Sequence, residues 1–284
     1  MDRTLSLPVR DEIQEHNGSI EDRHWWFAAR RRILRALVDE IAGGRRLRIV
    51  DVGCSTGGNA GSLADAHDVL GFDASETAIR IARTKFPKAR FEVATNLAPI
   101  LTQARTADLV LLMDVIEHVE DDFHLVSSIA AELRPDAHIL VTVPAHPELW
   151  SEHDVASQHW RRYTESRLVR VWRDMPLDAR IVTPCNALLA PLVRVARRLR
   201  GGKESVHGSG ADLAVPIAPV NAVLRWTFER EAGALVRALR EGTPAPYRDG
   251  ISLLAILRRR AGDCEVLMKP ADLPRDEHRP FEAS

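Results

Sequence analysis

From Leu47 onward, short apolar runs alternate with stretches whose apolar residues recur every three or four positions. That alternation predicts a parallel β-sheet with helices on both faces, an α/β chain. Strands are expected at 47–52, 68–73, 90–94, 108–113, 138–143 and 179–184, and helices near 57–66, 75–85, 121–133 and 164–174. Leu47, Ile49, Val50 and Val52 make the apolar run of a strand covered on both sides. Upstream, Trp26, Ile33, Leu34, Leu37, Val38 and Ile41 share one helical face, predicting a helix from Glu21 to Ile41 that stops at Gly43-Gly44. Residues 1 to 20 are polar and read as loosely ordered.

Downstream the pattern changes. Residues 188–200 read as a helix, 201–219 as a Gly/Ser/Pro-bearing connector, and 220–239 as another helix before a last strand at 250–257. The segment 188–200 has one apolar side and four arginines. Such a segment suits either packing on the domain with its charges solvated or peripheral contact with an anionic membrane or a greasy ligand.

Composition narrows the class. With 284 residues, 45% of them hydrophobic, the chain can bury a substantial core as one elaborated domain. A formal charge of −1 gives no electrostatic case for nucleic acid. Cys54, Cys185 and Cys264 are too few and scattered for a disulfide framework or zinc site, which suits a reducing, cytoplasmic setting. The start lacks the profile of a secretory signal, and no run reaches the roughly 20 apolar residues of a membrane span.

The most informative stretch is Leu47-Arg-Ile-Val-Asp51-Val-Gly53-Cys54-Ser55-Thr-Gly57, followed by a second strand ending in Asp73-Ala74. Gly53 and Gly57 allow a sharp turn and close approach of backbone to a ligand. Asp73 lies 20 residues past Gly53, where an acid at a strand end can accept hydrogen bonds from ribose hydroxyls. The spacing is that of a nucleotide-type cofactor site. A dinucleotide turn would read G-x-G-x-x-G; here the middle position is Ser55, the third glycine comes early, and Asp51 would repel a pyrophosphate but attract a cationic amino group.

This pattern resembles the D/E-x-G-x-G-x-G motif of class I S-adenosylmethionine-dependent methyltransferases. Asp108-Leu-Val-Leu-Leu-Met-Asp114-Val-Ile-Glu117-His118-Val is similar to that family's fourth strand and following helix, and Leu133-Arg-Pro-Asp-Ala-His to its turn before the fifth. The resemblance runs from about 24 to 185 and returns at 250–260. It implies a doubly wound, seven-stranded Rossmann-like sheet whose last strand runs antiparallel beside the sixth, with an N-terminal helix and a helical insertion between those two strands. The organisation expected is therefore 1–45 covering the substrate side, 46–187 with 250–260 binding S-adenosylmethionine, 188–249 inserted, and 261–284 as a tail. Asp51, Gly53, Cys54, Ser55, Gly57, Asp73 and Ala74 would hold the cofactor, Asn96 and Leu97 would lie near adenine, and Asp114 would close the pocket.

Methyl transfer from a sulfonium depends on positioning and exclusion of water, with a base where the acceptor must lose a proton. His118, His153 and His159 are the candidate bases. Asp114-x-x-Glu117-His118 also resembles the acidic triplet with histidine of ubiquinone-type O-methyltransferases, so a divalent metal is the lesser expectation; the plainer reading is that these residues close the cofactor pocket. His24-Trp25-Trp26-Phe27 with Arg30, and Trp150-Ser-Glu-His153-Asp154 with His159-Trp-Arg161-Arg162-Tyr163-Thr164, resemble motifs of a bacterial methyltransferase group. Trp25, Trp26, Trp150 and Tyr163 could wall an acceptor and Arg30, Arg161 and Arg162 grip a carboxylate or phosphate. Alternatively Thr164 caps a helix and one arginine pairs with Asp154.

The expected function is S-adenosylmethionine-dependent methylation, O-methylation foremost, of a small-molecule or lipid-like acceptor. A nucleotide-dependent oxidoreductase and a non-catalytic cofactor-binding partner protein are the competing classes. The sequence leaves oligomeric state open.

Overall fold

The computed structural model describes residues 11–192, 194–195, 214–243, 246–271 and 273. Seven strands form one sheet in the order β3-β2-β1-β4-β5-β7-β6. They are β1 (Arg48–Val52), β2 (Asp68–Asp73), β3 (Arg90–Val93), β4 (Leu109–Met113), β5 (His138–Pro144), β6 (Leu177–Cys185) and β7 (Ser252–Arg259). β1 runs parallel to both β2 and β4, whereas β7 runs antiparallel to both β5 and β6. The chain moves outward from β1 in both directions, so a crevice opens at the carboxyl ends of β1 and β4.

Successive residues of the central strands face opposite cores. Val50, Val52, Val110 and Leu112 pack with helices α5 (Ala98–Ala104) and α6 (Asp122–Glu132) on one side. Ile49, Leu109 and Leu111 pack on the other with α2 (Trp25–Ala42), α3 (Gly58–Leu63) and α4 (Glu76–Lys85). Burial on both faces explains why the strands read as continuous apolar runs. Full burial contributes about 1.5–3 kcal/mol for each of these side chains.

Three features depart from the sequence expectations. Residues expected to be loosely ordered form α1 (Asp11–Ile20), which packs on α4 and the glycine turn rather than on the side expected to hold the substrate. The helix expected to begin at Glu21 begins at Trp25, because His24 caps it by accepting the Trp26 N–H on Nδ1 at 3.2 Å. The helix expected at 220–239 divides into α9 (Ala218–Glu229) and α10 (Glu231–Glu241), with the Glu231 carboxylate accepting from the N–H groups of Ala187 and Leu188. Short helices α7 (Glu152–Ala156) and α8 (Glu165–Arg170) follow β5. Parts of the expected helix at 188–200 and connector at 201–219 lie outside the described residues, as do Arg197, Arg198 and Arg200.

Candidate active site

The turn after β1 is built by residues with positive φ: Gly53 (66°), Ser55 (49°) and Gly57 (86°). A Cβ on Gly57 would sit 2.8 Å from the Ala82 Cβ, and one on Gly53 would sit 2.9 Å from Val115. Both glycines are required by space as well as by conformation. The turn is fastened to β2 by Cys54 N–H donating to Phe72 O at 2.9 Å. Asp73 accepts from Ser55 N–H and Ser75 N–H, each at 2.9 Å, so one carboxylate organises two turns. Ser55 Oγ donates to Gln14 Oε1 at 2.6 Å, binding α1 to the turn.

Burial raises the affinity of this edge for protons. Asp51 is buried, one of its oxygens lacks a partner, and desolvation lifts its pKa to about 7 against the pull of Arg30. Burial likewise raises Asp73, opposed by its backbone donors. The Cys54 thiol, buried in this loop, is pushed far up and is not a nucleophile at neutral pH.

Across the crevice, Asp114 ends β4 with φ 57° and forms an ion pair with Arg30. Thr142 Oγ1 donates to Asp114 Oδ1 and accepts from Arg30 Nη2, both at 3.1 Å, so these three side chains lock α2 to β4 and β5. A 3-10 turn, Ile116–His118, then buries Glu117. Neither Glu117 carboxyl oxygen has a partner beyond its own residue, and desolvation, then the charge on Asp114, holds its pKa well above the usual range. Burial lowers His118 to about 3, leaving a neutral imidazole. Its ring stacks edge-on to His159, with centroids 4.6 Å apart.

Asp154 organises the loop beneath. It accepts from Arg162 Nε at 2.8 Å and Nη2 at 2.9 Å, pairs with His159 Nδ1 at 2.9 Å, and closes a capping box with Ser151. Burial alone would raise it; hydrogen bonds and charge from His159 and Arg162 instead hold it far below the normal carboxylate range.

These elements enclose one cavity of about 440 Å³, within the size range of small-ligand sites. It joins Gly53, Cys54, Ser55, Asp73 and Ala74 on one wall to Asp114, His118, His153 and His159 on the other. Trp25, Trp26 and Arg30 reach it from α2, and Arg162 from the loop after β5. Asp51, in β1, and Gly57, in the turn, do not line the cavity.

Five other expected positions lie away from it. Asn96 caps α5 through Ala98 N–H, and Leu97 packs on the core; Ala94 and Ile100 line the cavity there instead. Arg161 is buried and donates to the carbonyls of Ile116, Val119 and Glu120, fixing the 3-10 turn rather than awaiting an anion. Tyr163 is fully buried and its hydroxyl donates to Asp122 at 2.8 Å. Trp150 follows a second 3-10 turn and does not line the cavity. Thr164 caps α8, accepting Arg167 N–H.

Sequence reasoning passed over Gln14, Asn17, His24, Asn186 and Ser252 as lining groups. Glu117, read from sequence as an acid beside a histidine that closes the pocket, does line it; α1 carried no comparable signal.

A family profile described as a methyltransferase domain matches residues 26–178. A probable S-adenosylmethionine-dependent methyltransferase of Mycolicibacterium smegmatis is 29% identical over 126 residues, 44% of this chain and 48% of that one. The ubiquinone biosynthesis O-methyltransferase of Cupriavidus pinatubonensis is 33% identical over 112 residues (37% of this chain, 44% of that one). The trans-aconitate 2-methyltransferase of Variovorax paradoxus is 31% identical over 104 residues (36% and 40%). The chain thus spans less than half the length of each of these relatives. Among solved structures, the methyltransferase bound to the Trm112 activator of Haloferax volcanii aligns at TM-score 0.51 and 18% identity, covering 90% of this chain and 100% of that one. The [4+2]-cyclase SpnF aligns at 0.51 and 15%, covering 90% and 100%. Likenesses at such identities establish the fold alone, and a fold shared with a cyclase leaves the reaction to the site.

Proposed function

The chain belongs to the class I S-adenosylmethionine-dependent methyltransferase family, and from that premise we propose that it methylates a small or lipid-like acceptor, at oxygen foremost. The single observation that carries this reading is the cavity, which places the glycine turn and Asp73 opposite a cluster of titratable groups.

The residues suit the cofactor. The turn at Gly53 and Gly57 has no room for a Cβ, and Asp51 keeps a buried carboxylate oxygen without a partner beside a cleft meant for a cationic ligand. Gly53, Cys54, Ser55, Asp73 and Ala74 would hold it, with Asp73 toward the ribose and Asp51 supplying negative potential from behind. When bound, S-adenosylmethionine supplies a methyl group on an electrophilic sulfonium.

The chain's own residues then have distinct tasks. Trp25 and Trp26 offer flat apolar walls to the acceptor. Trp25 is held by its N–H bond to Asn221 Oδ1 at 2.9 Å. Arg30 and Arg162 are already engaged by Asp114 and Asp154, so their charges are matched before any ligand arrives. That neutralisation weighs against an arginine grip on an anionic acceptor. Of the three candidate bases, His159 has the best support: Asp154 fixes its Nδ1, turning the other nitrogen into a proton acceptor for a hydroxyl. His153 is exposed and His118 is a weak base.

A greasy acceptor is supported by exposed apolar positions, among them Ile217 just before α9, Val223 and Trp226 on α9, and Leu188, Leu192 and Val195. Among the described residues, no helix is long and apolar enough to cross a membrane. Peripheral contact predicts co-flotation with anionic vesicles that Trp226→Ala weakens; failure to float removes that element.

The deciding experiment is calorimetric titration with S-adenosylmethionine and S-adenosylhomocysteine, followed by acceptor screening. Micromolar binding supports the proposal. No binding at millimolar cofactor removes it.

A further inference from the structure

We propose that Glu117, His118 and His159 form a binding site for one divalent transition-metal ion on the acceptor wall of the cavity. One donor atom from each of the three lies within 4.8 Å of the other two, a spread that small side-chain adjustments close around an ion. Two imidazoles and one carboxylate are a donor set suited to zinc, cobalt(II) or iron(II), and three protein ligands leave positions open to the cavity.

Two independent observations point to a cation. Glu117 has a relative exposure of 0%, yet neither carboxyl oxygen is hydrogen-bonded beyond its own residue. Isolated buried carboxyls are costly, and a coordinated ion is one of the few partners able to satisfy both oxygens. Secondly, the His159 imidazole has one nitrogen committed to a carboxylate oxygen: its Nδ1 pairs with Asp154 at 2.9 Å. A ring fixed in this way presents its remaining nitrogen in one direction, the arrangement that metal-binding histidines adopt. Arg162 in turn anchors Asp154.

The site differs from the D-x-x-E-H triplet expected from sequence. Asp114 is held by Arg30 and Thr142, and the third ligand comes instead from the loop after β5, 41 residues beyond His118. The ion's task, orienting an acceptor oxygen, rests on the methyl-transfer reading; the site itself does not. Proton acceptance by His159 is then confined to the metal-free protein; with an ion bound, the imidazole would serve as a ligand and the ion would polarise the acceptor oxygen.

The test uses the full chain, stripped with a chelator and titrated with Zn²⁺ by calorimetry, with Co²⁺ absorption as a second readout. One equivalent is expected. Glu117→Gln, His118→Ala and His159→Ala should each weaken binding by at least about 100-fold, and Asp154→Asn by roughly 10- to 100-fold, the usual effect of losing an outer hydrogen bond. Glu165→Gln, at the start of α8 and away from the cavity, should leave affinity unchanged. Circular dichroism of each variant separates lost ligation from lost folding, and the near-isosteric Glu117→Gln serves where an alanine variant fails to fold. Wild type taking up no ion, or ligand variants binding as wild type, would each overturn the site. S-adenosylmethionine titrated into the same metal-free protein keeps the questions apart: cofactor binding without ion uptake sinks only the metal site, whereas ion uptake without cofactor binding sinks only the methyltransferase reading.

Discussion

The two walls of the cavity are made in different ways. The β1–β2 wall is local: a strand, a turn of positive-φ residues and the next strand's terminal acid, held by backbone donors to Asp73. The β4–β5 wall is assembled from α2, the 3-10 turn at 116–118 and the segment at 151–164, joined by a half-buried ion pair, Arg30–Asp114, and a buried one, Arg162–Asp154. On the proposed reading the local wall would hold the cofactor that members of such a family share. An assembled one can change its acceptor by changing loops, because its order depends on tertiary pairing.

The comparison predicts that the assembled wall collapses most readily. Asp154→Ala strips Arg162 and His159 of their common partner and should cost about 3–5 kcal/mol in urea unfolding, because a buried arginine is left uncompensated. As Asp154 is depressed in the folded state, its contribution is present above the ordinary carboxylate range and is lost as pH falls through its lowered value. A loss below about 1 kcal/mol would make this loop peripheral to stability.

Gly57→Ala should cost about 2–4 kcal/mol in the same assay, combining left-handed backbone strain with a Cβ driven onto Ala82 and Phe91. A neutral result would show that the turn can relax. Asp73→Asn tests ligand contact with less disturbance of fold, and S-adenosylmethionine affinity should fall roughly 10- to 100-fold, about 1.5–3 kcal/mol, with the charged acceptor gone.

A smaller effect should follow pH. In the ligand-free fold Asp51 keeps its proton up to about 7, while an unfolded aspartate loses it near the ordinary value of 3.8. Its folded pKa is raised, so it favours the native state at low pH and that advantage fades as pH climbs toward 7. A cationic ligand prefers the ionised form, so cofactor affinity should rise by up to about tenfold from pH 6 to 8 and lose that dependence in Asp51→Asn. Equal slopes in both proteins would remove Asp51 from cofactor binding. Least affected should be His153→Ala, with cofactor affinity changed less than about twofold, since its side chain is exposed.

By itself the sequence determined the sheet, the glycine turn and Asp73, because each rests on short-range rules: period in the strands, φ at Gly53 and Gly57, and the spacing of an acid from a turn. It also carried the resemblance on which the family expectation stood. Only the tertiary structure decided which of the polar residues after β4 and β5 face the ligand. Arg161, Arg162 and Tyr163 are neighbours of similar polarity in the chain, yet Arg161 pins carbonyls, Tyr163 is sealed against Asp122, and Arg162 reaches the cavity. Nor could composition show that α1 would cover the turn, or that His159 would meet Glu117 and His118. Periodicity reports which face of an element is buried; which polar partner a buried side chain finds depends on elements distant in sequence and on the cost of leaving any charge without one.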